Sequence, residues 1–235
     1  MPPSQGRLTT VSLAGVAVFG ALSAILTYLS QFLGLNFPLV PYLQFDLGEV
    51  AIVLSLFIFG PLPALVSSSV EFVTLMAIGQ NVPAGPVLKL FAMVSTVAGI
   101  WLGIRLASST RRTSMREVFG FGTAFGAVVR AAVLTLPNYY MLVFFYTIPT
   151  IVGFLSGAFK LVGITLTSGN ALALVLGFTA IFNVLQLLFV MAISFAVLNL
   201  PQVNGLRIAG RGLWVMAVTQ GSAPGSKIPV DRVGG

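Results

Sequence analysis

Long uninterrupted apolar runs are the feature that most constrains the fold of this chain. Four of them can cross a membrane, since a bilayer core of roughly 30 Å needs about 20 apolar residues in a helix. They are Val11–Leu33, Val87–Leu106, Val118–Tyr146 and Ala171–Leu200. Only 7% of the 235 residues are charged, far below the quarter typical of soluble domains. The sequence therefore predicts an all-α integral membrane protein.

Two shorter apolar segments, Val50–Phe59 and Ala64–Ile78, lie between the first two long runs. A Gly-Pro-Leu-Pro sequence beginning at Gly60 separates them and would break a helix, so they predict a shallow hairpin or two tilted helices. Ile148–Phe159 is also apolar, but it is too short to cross and is punctuated by Pro and Gly. We place it in a long loop. The prediction is six transmembrane helices in one compact bundle.

The basic residues predict the orientation, because short loops rich in Lys and Arg stay cytoplasmic. In a six-span chain, nine of the twelve basic residues fall on one side: Arg7, Arg105, Arg111, Arg112, Arg116, Arg207, Arg211, Lys227 and Arg232. Both termini are therefore predicted to be cytoplasmic, and the loops at 36–49, 79–86 and 147–170 to lie outside. Topology thus explains the net charge of +7, and no nucleic-acid partner is expected.

These boundaries divide the chain into three parts. Residues 1–10 are predicted to be a cytoplasmic N-terminus, and 11–200 the six-helix membrane domain. The first run is long enough to remain as a helix and lacks the features of a cleaved signal peptide. Residues 201–235 are rich in Gly, Ser and Pro outside Leu213–Val218, which predicts a flexible cytoplasmic tail.

Missing residue types exclude several kinds of chemistry. The chain has no Cys and no His, which removes disulfides, thiolate chemistry, the common zinc sites and any Ser-His or Cys-His pair. It also lacks a Gly-rich phosphate loop ending in Gly-Lys-Ser/Thr, the common route to ATP hydrolysis. Most intramembrane enzymes are therefore disfavoured, and any pumping would need a partner.

Five charged residues are predicted in or beside the membrane segments. Asp46 and Glu49 open the second segment, where acids favour a helix N-terminus by capping and through the dipole. Glu71, Lys89 and Arg130 lie in the third, fourth and fifth segments. Because buried charges need partners, we expect these three to form ion pairs that hold the bundle together. Ligand contact by Glu71 or Lys89 is the alternative.

Amide side chains form a candidate binding site. Asn138 follows a proline in the fifth segment, so a helix distortion there would leave its amide and the next tyrosines facing a cavity. Asn183 and Gln186 share one face of the last helix. Three amides can satisfy the hydrogen-bond donors and acceptors of a flat heterocycle such as a pyrimidine-dione. Hydrogen bonds between helices are an equal alternative role for these amides. Aromatic residues that either stack on such a ring or form the interfacial belt are Phe37, Tyr42, Phe45, Tyr139 and Tyr146.

Small residues follow one another along the first segment. They are Ala14, Ala17, Gly20, Ala21 and Ala24. Ala17 and Ala21 form a small-xxx-small pair, which allows close approach of another helix, from this chain or from a partner.

Three motifs occur in order between Ala14 and Leu198. The first is FPLVPYLQFDLGEV with FIFGPLPAL after it, the second is NYYMLVFFY, and the third is IFNVLQ. Together they resemble the substrate-binding S components of energy-coupling factor (ECF) vitamin transporters, and among these the riboflavin-type group. The chain departs from that group at Gln186, where the family has Lys, and at Glu71 and Lys89, where Lys and Asn are usual.

The resemblance implies a substrate-binding function for residues 11–200, with a pocket open to the outer face. Asn138, Asn183 and Gln186 would hydrogen-bond the isoalloxazine edge of riboflavin, and Tyr42 with its loop would close over it. Tyr139 and Tyr146 would complete the site. Riboflavin would be the cargo, so no cofactor is implied.

The resemblance also implies partners and a location. A transmembrane T component would contact the first helix at Ala17, Ala21 and Ala24, and two cytoplasmic ATPases would supply the energy for transport. The chain would lie in the cell membrane. Three alternatives remain open. In the first, the ligand is thiamine, pantothenate or a pyrimidine, an alternative that the change at Gln186 motivates. The chain would otherwise be an intramembrane enzyme using its buried acids, or a structural or assembly protein.

Overall fold

The computed structural model describes residues 9–79, 82–110, 114–200, 203 and 213–219. Most of these residues are helical, and they contain no strand. The helices are α1 (Thr10–Leu33), α2 (Gly48–Phe59), α3 (Pro61–Ile78), α4 (Ala84–Ser109), α5 (Met115–Phe144), α6 (Ile148–Leu161), α7 (Ala171–Leu198) and α8 (Trp214–Thr219).

Five of these helices, α1, α3, α4, α5 and α7, are long and apolar enough to cross a membrane. Large apolar side chains such as Ile25, Val128 and Phe144 are exposed on their outward faces. A bundle in water would bury such a surface, whereas lipid accepts it. The chain is therefore an all-α, multi-pass membrane bundle, as the apolar runs predict.

The second segment lies inside the bundle. Helix α2 has 12 residues and is about 18 Å long, so it spans only part of a bilayer core. Nearly all of its side chains are buried, as expected for a helix that is apolar on every side. It packs against α1, α3 and α7. The N-terminus of α2 consequently lies within the bundle.

The sharp turn between α2 and α3 agrees with the sequence. Gly60 has a φ of 101°, a conformation that favours glycine. Pro61 begins α3, where proline needs no backbone hydrogen bond. The two segments are thus separate helices joined at a single residue.

The first loop (residues 34–47) is ordered and folds back on itself. Asn36 and Gln44 form an antiparallel bridge, and the backbone N–H of Phe37 donates to the Leu43 carbonyl at 2.7 Å. At the tip, Val40 is fully buried in an apolar cluster with residues of α5, α6 and α7. The loop therefore covers one end of these helices.

The prediction that Ile148–Phe159 is loop is wrong, because Ile148–Leu161 forms α6. Its proline lies in the first turn, where proline is tolerated. Ile151, Leu155 and Phe159 recur every four residues and are buried, which is the pattern of an amphipathic helix. Its 14 residues make it shorter than a span.

Part of the predicted flexible tail is packed on the bundle. Helix α8 contacts α2 and α4, and Leu213 and Val215 are buried in the main apolar core. These residues belong to the one apolar stretch of the tail. The remainder of 201–235, apart from Val203, lies outside the described residues, as do residues 1–8 of the predicted N-terminus.

Glycines allow α4 and α5 to approach closely. A Cβ atom built on Gly103 would lie 2.3 Å from the Phe121 carbonyl oxygen, and one on Gly99 would lie 2.7 Å from the Gly126 Cα. Only glycine fits at such distances. The contact brings Thr96 of α4 beside Arg130 of α5.

Candidate functional site

A layer of polar side chains lies inside the bundle next to the first loop. It consists of two groups that meet at the start of α2. The lysine cluster contains Ser23, Thr27, Asp46, Glu71 and Lys89. The arginine cluster contains Glu49, Thr96, Arg130 and Asn183.

In the lysine cluster, Lys89 lies between two carboxylates. Its Nζ atom forms an ion pair with Asp46 and lies 2.5 Å from Glu71 Oε1. Two hydroxyls of α1 complete the surroundings of Glu71: Thr27 Oγ1 lies 2.8 Å from Oε1, and Ser23 Oγ lies 2.5 Å from Oε2. Glu71 is fully buried. The cluster joins α1, α3 and α4 to the first loop.

In the arginine cluster, Arg130 and Glu49 form a two-pronged ion pair. Arg130 Nη2 donates to Glu49 Oε1 at 2.9 Å, and Nη1 contacts the other carboxylate oxygen. Nη1 also lies 2.8 Å from the Thr96 hydroxyl, and Nε donates to Asn183 Oδ1 at 3.1 Å. Both charged side chains are buried. Such bidentate pairs are strong and directional, so this cluster fixes α2, α4, α5 and α7 relative to one another.

Gln186 attaches the end of the first loop to α7. Its Nε2 donates to the Asp46 carbonyl at 2.8 Å, and its Oε1 accepts from the Asp46 backbone N–H at 3.2 Å. Gln186 is almost completely buried. A side-chain amide thus forms paired hydrogen bonds with a backbone residue of the loop.

Of the ion pairs predicted among Glu71, Lys89 and Arg130, the contact between Glu71 and Lys89 is present, whereas Arg130 pairs with Glu49 instead. Asp46 also accepts from the Gly48 backbone N–H at 2.7 Å, but the N-cap residue of α2 is Leu47 and no side-chain capping bond is present. Glu49 does not act mainly as an end charge, because it pairs with Arg130 near the middle of α5. The sequence signal for this pairing is the short length of α2, which places its first turn deep in the bundle.

Asn138 and Tyr139 lie apart from this layer. The α5 helix is continuous through its proline, and the buried Asn138 amide donates to the Leu134 carbonyl of the same helix at 2.8 Å. Tyr139 and Tyr140 are exposed on the outer side of α5. They do not face an interior cavity, because the proline leaves the helix unbroken.

Tyr42 and Tyr146 are brought together beside α7. Withdrawal from water raises the pKa of the Tyr42 phenol to about 12, although the residue keeps 45% of its surface exposed. The neighbouring Thr179 hydroxyl opposes this rise in pKa and Tyr146 reinforces it. The phenol is therefore a protonated donor at physiological pH. The Thr179 oxygen is buried without a hydrogen bond of regular geometry.

Aromatic rings pack against one another between the first loop and α7. The ring centroids of Phe37 and Phe45 lie 5.6 Å and 5.1 Å from that of Phe182. Phe182 precedes Asn183 in the last motif. The loop aromatics and the α7 amides therefore belong to one local assembly.

The small residues of α1 divide between two faces. Ala17 and Ala21 are exposed, whereas Ala24 is buried within the bundle. Gly20 also faces inward, because a Cβ atom there would lie 2.8 Å from Val70. The exposed surface of α1 thus retains the Ala17–Ala21 pair.

Two open cavities of about 310 Å³ each lie along α5. One runs between α5 and α7 near Arg116, and neither is lined by Asn138, Asn183 or Gln186. The three amides are hydrogen-bonded to protein atoms in this state. A ligand that used them would have to replace those bonds.

The fold and this layer define a class: an all-α membrane bundle whose buried ion pairs lie next to an ordered loop. No family model matches the chain, and neither a curated protein nor a solved structure was found to match it. The resemblance to ECF S components therefore rests on the sequence motifs.

Proposed function

We propose that the chain is the substrate-binding membrane subunit of an ECF-type importer, and that it binds riboflavin at its outer face. The observation that carries this proposal is the pair of hydrogen bonds between Gln186 and the Asp46 backbone. These bonds join the first motif to the last, although 140 residues separate them. Two segments that resemble the same family's ligand site thus meet in three dimensions.

The chemistry of this region suits a flat, polar ring. The Gln186 and Asn183 amides can each donate and accept, which matches the alternating groups of a pyrimidine-dione edge. The rings of Phe45 and Phe182 offer stacking surfaces, and Tyr42 supplies a neutral phenol as a hydrogen-bond donor. The edge of a flavin would replace the Asp46 backbone as the hydrogen-bond partner of Gln186. Entry of the flavin would therefore require the first loop to move.

The partners in this proposal follow from the same resemblance. The exposed Ala17 and Ala21 would receive the T component, since small residues permit close helix contact. Two cytoplasmic ATPases would supply the energy. The chain would act as the specificity subunit of that assembly in the cell membrane.

Riboflavin titration of the detergent-purified chain tests the proposal. We expect quenching of flavin and tryptophan fluorescence, with affinity reduced about tenfold or more in Asn183→Ala, equivalent to about 1.4 kcal/mol or more. Asn199→Ala is the matched control, because Asn199 lies at the end of α7 and also donates to the carbonyl four residues earlier. Its affinity should equal that of the wild type.

A folded wild-type protein that fails to quench flavin would contradict the riboflavin assignment. The uncharged Gln186 in place of the family's Lys favours a second candidate, an S component for another vitamin or precursor. Thiamine, pantothenate and a pyrimidine should then be compared by thermal shift, since a bound ligand raises apparent stability. Stabilisation by one of them would keep the transporter class and change the substrate.

A further inference from the structure

The lysine cluster has one more acid than base. Asp46 and Glu71 can each carry a negative charge, and among the described residues Lys89 is the single cation that contacts them. The nearby Glu49–Arg130 pair is balanced by itself. Glu71 is fully buried, and Lys89 and Asp46 are only 13% and 14% exposed. An uncompensated charge in such a place is strongly unfavourable.

The contacts of Ser23 are a second observation, independent of the charge count. They contain one proton too few if Glu71 is ionised. Its Oγ atom lies 2.8 Å from the Gly48 carbonyl oxygen and 2.5 Å from Glu71 Oε2. A serine hydroxyl has a single proton, and both neighbours are acceptors if Glu71 is ionised. One of these oxygen–oxygen contacts would then contain no proton. A proton on Glu71 Oε2 supplies it: Oε2–H donates to Ser23, and Ser23 donates to Gly48.

Thr27 resembles Ser23, because its one hydroxyl proton serves Glu71 Oε1 at 2.8 Å and Asp46 Oδ1 at 3.0 Å. Asp46 Oδ1 also accepts from the Gly48 backbone N–H at 2.7 Å, so Thr27 can donate to Glu71. Lys89 has three N–H donors, and it contacts Asp46 Oδ2, Glu71 Oε1 and Thr27 Oγ1. With a proton on Glu71, the net charge of the cluster is zero.

We propose that Glu71 is a proton-binding site, with the proton on Oε2 and with Lys89–Asp46 as the ion pair of the cluster. The groups that face Glu71 are Ser23 and Thr27 of α1, Lys89 of α4, and Asp46 across Lys89. The proposal is independent of the transported substrate, since it rests on charge and proton counts alone.

Infrared spectroscopy of the purified protein tests the site directly. We expect the carbonyl band of a protonated carboxylic acid at neutral pH, shifted in D₂O and absent in Glu71→Gln. The whole chain has five acidic residues, so the assignment is tractable. Glu117→Gln should keep the band. Asp46→Asn should lose it, because Glu71 is then left as the counter-ion of Lys89 and ionises. Absence of the band from the wild type, or its persistence in Glu71→Gln, would overturn the proposal.

Thermal stability gives a second readout. Glutamine can replace a protonated glutamate, donating to Ser23 and accepting from Lys89, so Glu71→Gln should keep the melting temperature within about 3 °C of the wild type. Asp46→Asn makes Glu71 the counter-ion of Lys89, which leaves the single Ser23 hydroxyl proton between two acceptors. This variant should therefore lower the melting temperature more.

The opposite order of stability would show that Glu71 is ionised and paired with Lys89. Stabilisation of the wild type by sodium over choline chloride, without the acid band, would show that a metal cation occupies the place of the proton. If Glu71→Gln does not fold, a wild-type acid band that is lost in Asp46→Asn supports the site, and absence of the wild-type band refutes it.

Discussion

Arg130 is the residue that joins most of the helices around the polar layer. It contacts Glu49 of α2, Thr96 of α4 and Asn183 of α7 from its own place in the middle of α5. Its planar guanidinium can bind several acceptors in fixed directions, which a lysine cannot do. Such a pair specifies how helices are arranged more than it adds net stability.

Removing one member of this pair should be costly. Glu49→Gln leaves the Arg130 charge buried without a counter-ion, so we expect the free energy of unfolding to fall by about 3–5 kcal/mol. Chemical or thermal unfolding in detergent measures the change. Glu117→Gln is the matched control, because Glu117 is likewise in the first turn of its helix but is exposed, and it should change stability by about 0.5 kcal/mol or less.

A double variant separates the ion pair from its surroundings. Glu49→Gln combined with Arg130→Met removes both charges, and it should be more stable than Glu49→Gln alone. If the double variant is the less stable of the two, then Arg130 stabilises the bundle through Thr96 and Asn183 rather than through Glu49.

At the scale of elements, the contact between α4 and α5 depends on the absence of side chains. Gly99 and Gly103 face the backbone of α5 so closely that neither position accepts a Cβ atom. In lipid, helices associate largely by close packing, since apolar surface gains little by leaving the acyl chains. The glycines of α4 therefore hold Thr96 and Arg130 in register.

Gly103→Ala should destabilise the bundle by about 1–3 kcal/mol through overpacking against the Phe121 carbonyl. Gly120→Ala provides the control, since a Cβ atom on Gly120 meets nothing within 4 Å. That change should be neutral or slightly stabilising, because alanine favours a helix. Unfolding of both variants in detergent checks the difference, and equal stabilities would show that α4 can shift without cost.

At the scale of the whole molecule, the short α2 and the first loop determine where the polar layer lies. The loop extends into the bundle, contacts α5, α6 and α7 through Val40, and leads into α2. The charges at its end are thereby placed where α3, α4 and α5 present theirs. The layer is thus a product of chain topology.

The predicted orientation can be tested with single cysteines, because the chain has no native cysteine. Ser168→Cys, in the exposed loop before α7, should react with a membrane-impermeant maleimide on intact cells. Ser109→Cys, at the exposed end of α4, should react only after permeabilisation. The reverse pattern would place both termini outside and refute the positive-inside assignment.

Some features follow from local sequence and others depend on packing. The long apolar runs predict α1, α4, α5 and α7 within a few residues, because a membrane leaves helix as the usual way to satisfy the backbone. The break at Gly60 is equally local. Helix α6 is the exception, because its Pro and Gly residues are typical of a loop. The signal for a helix is the spacing of its buried residues, which lie four apart.

The candidate site was predictable by residue type but not by partner. Asn183 and Gln186 share a buried face as their spacing predicts, yet their hydrogen-bond partners come from α5 and the first loop. The proline before Asn138 predicts a helix distortion that would place its amide with theirs. The helix is continuous, and the Asn138 amide donates within its own helix. Pairing across 140 residues depends on how helices pack.

Hydropathy, backbone stereochemistry and the cost of charge in lipid predict the membrane bundle, the helix break after α2 and a partner for each buried charge. The packing of the helices then places Glu49 against Arg130, and Lys89 between Asp46 and Glu71. Those pairings depend on the depth of α2 and on the glycine contact between α4 and α5, which are properties of the packed chain.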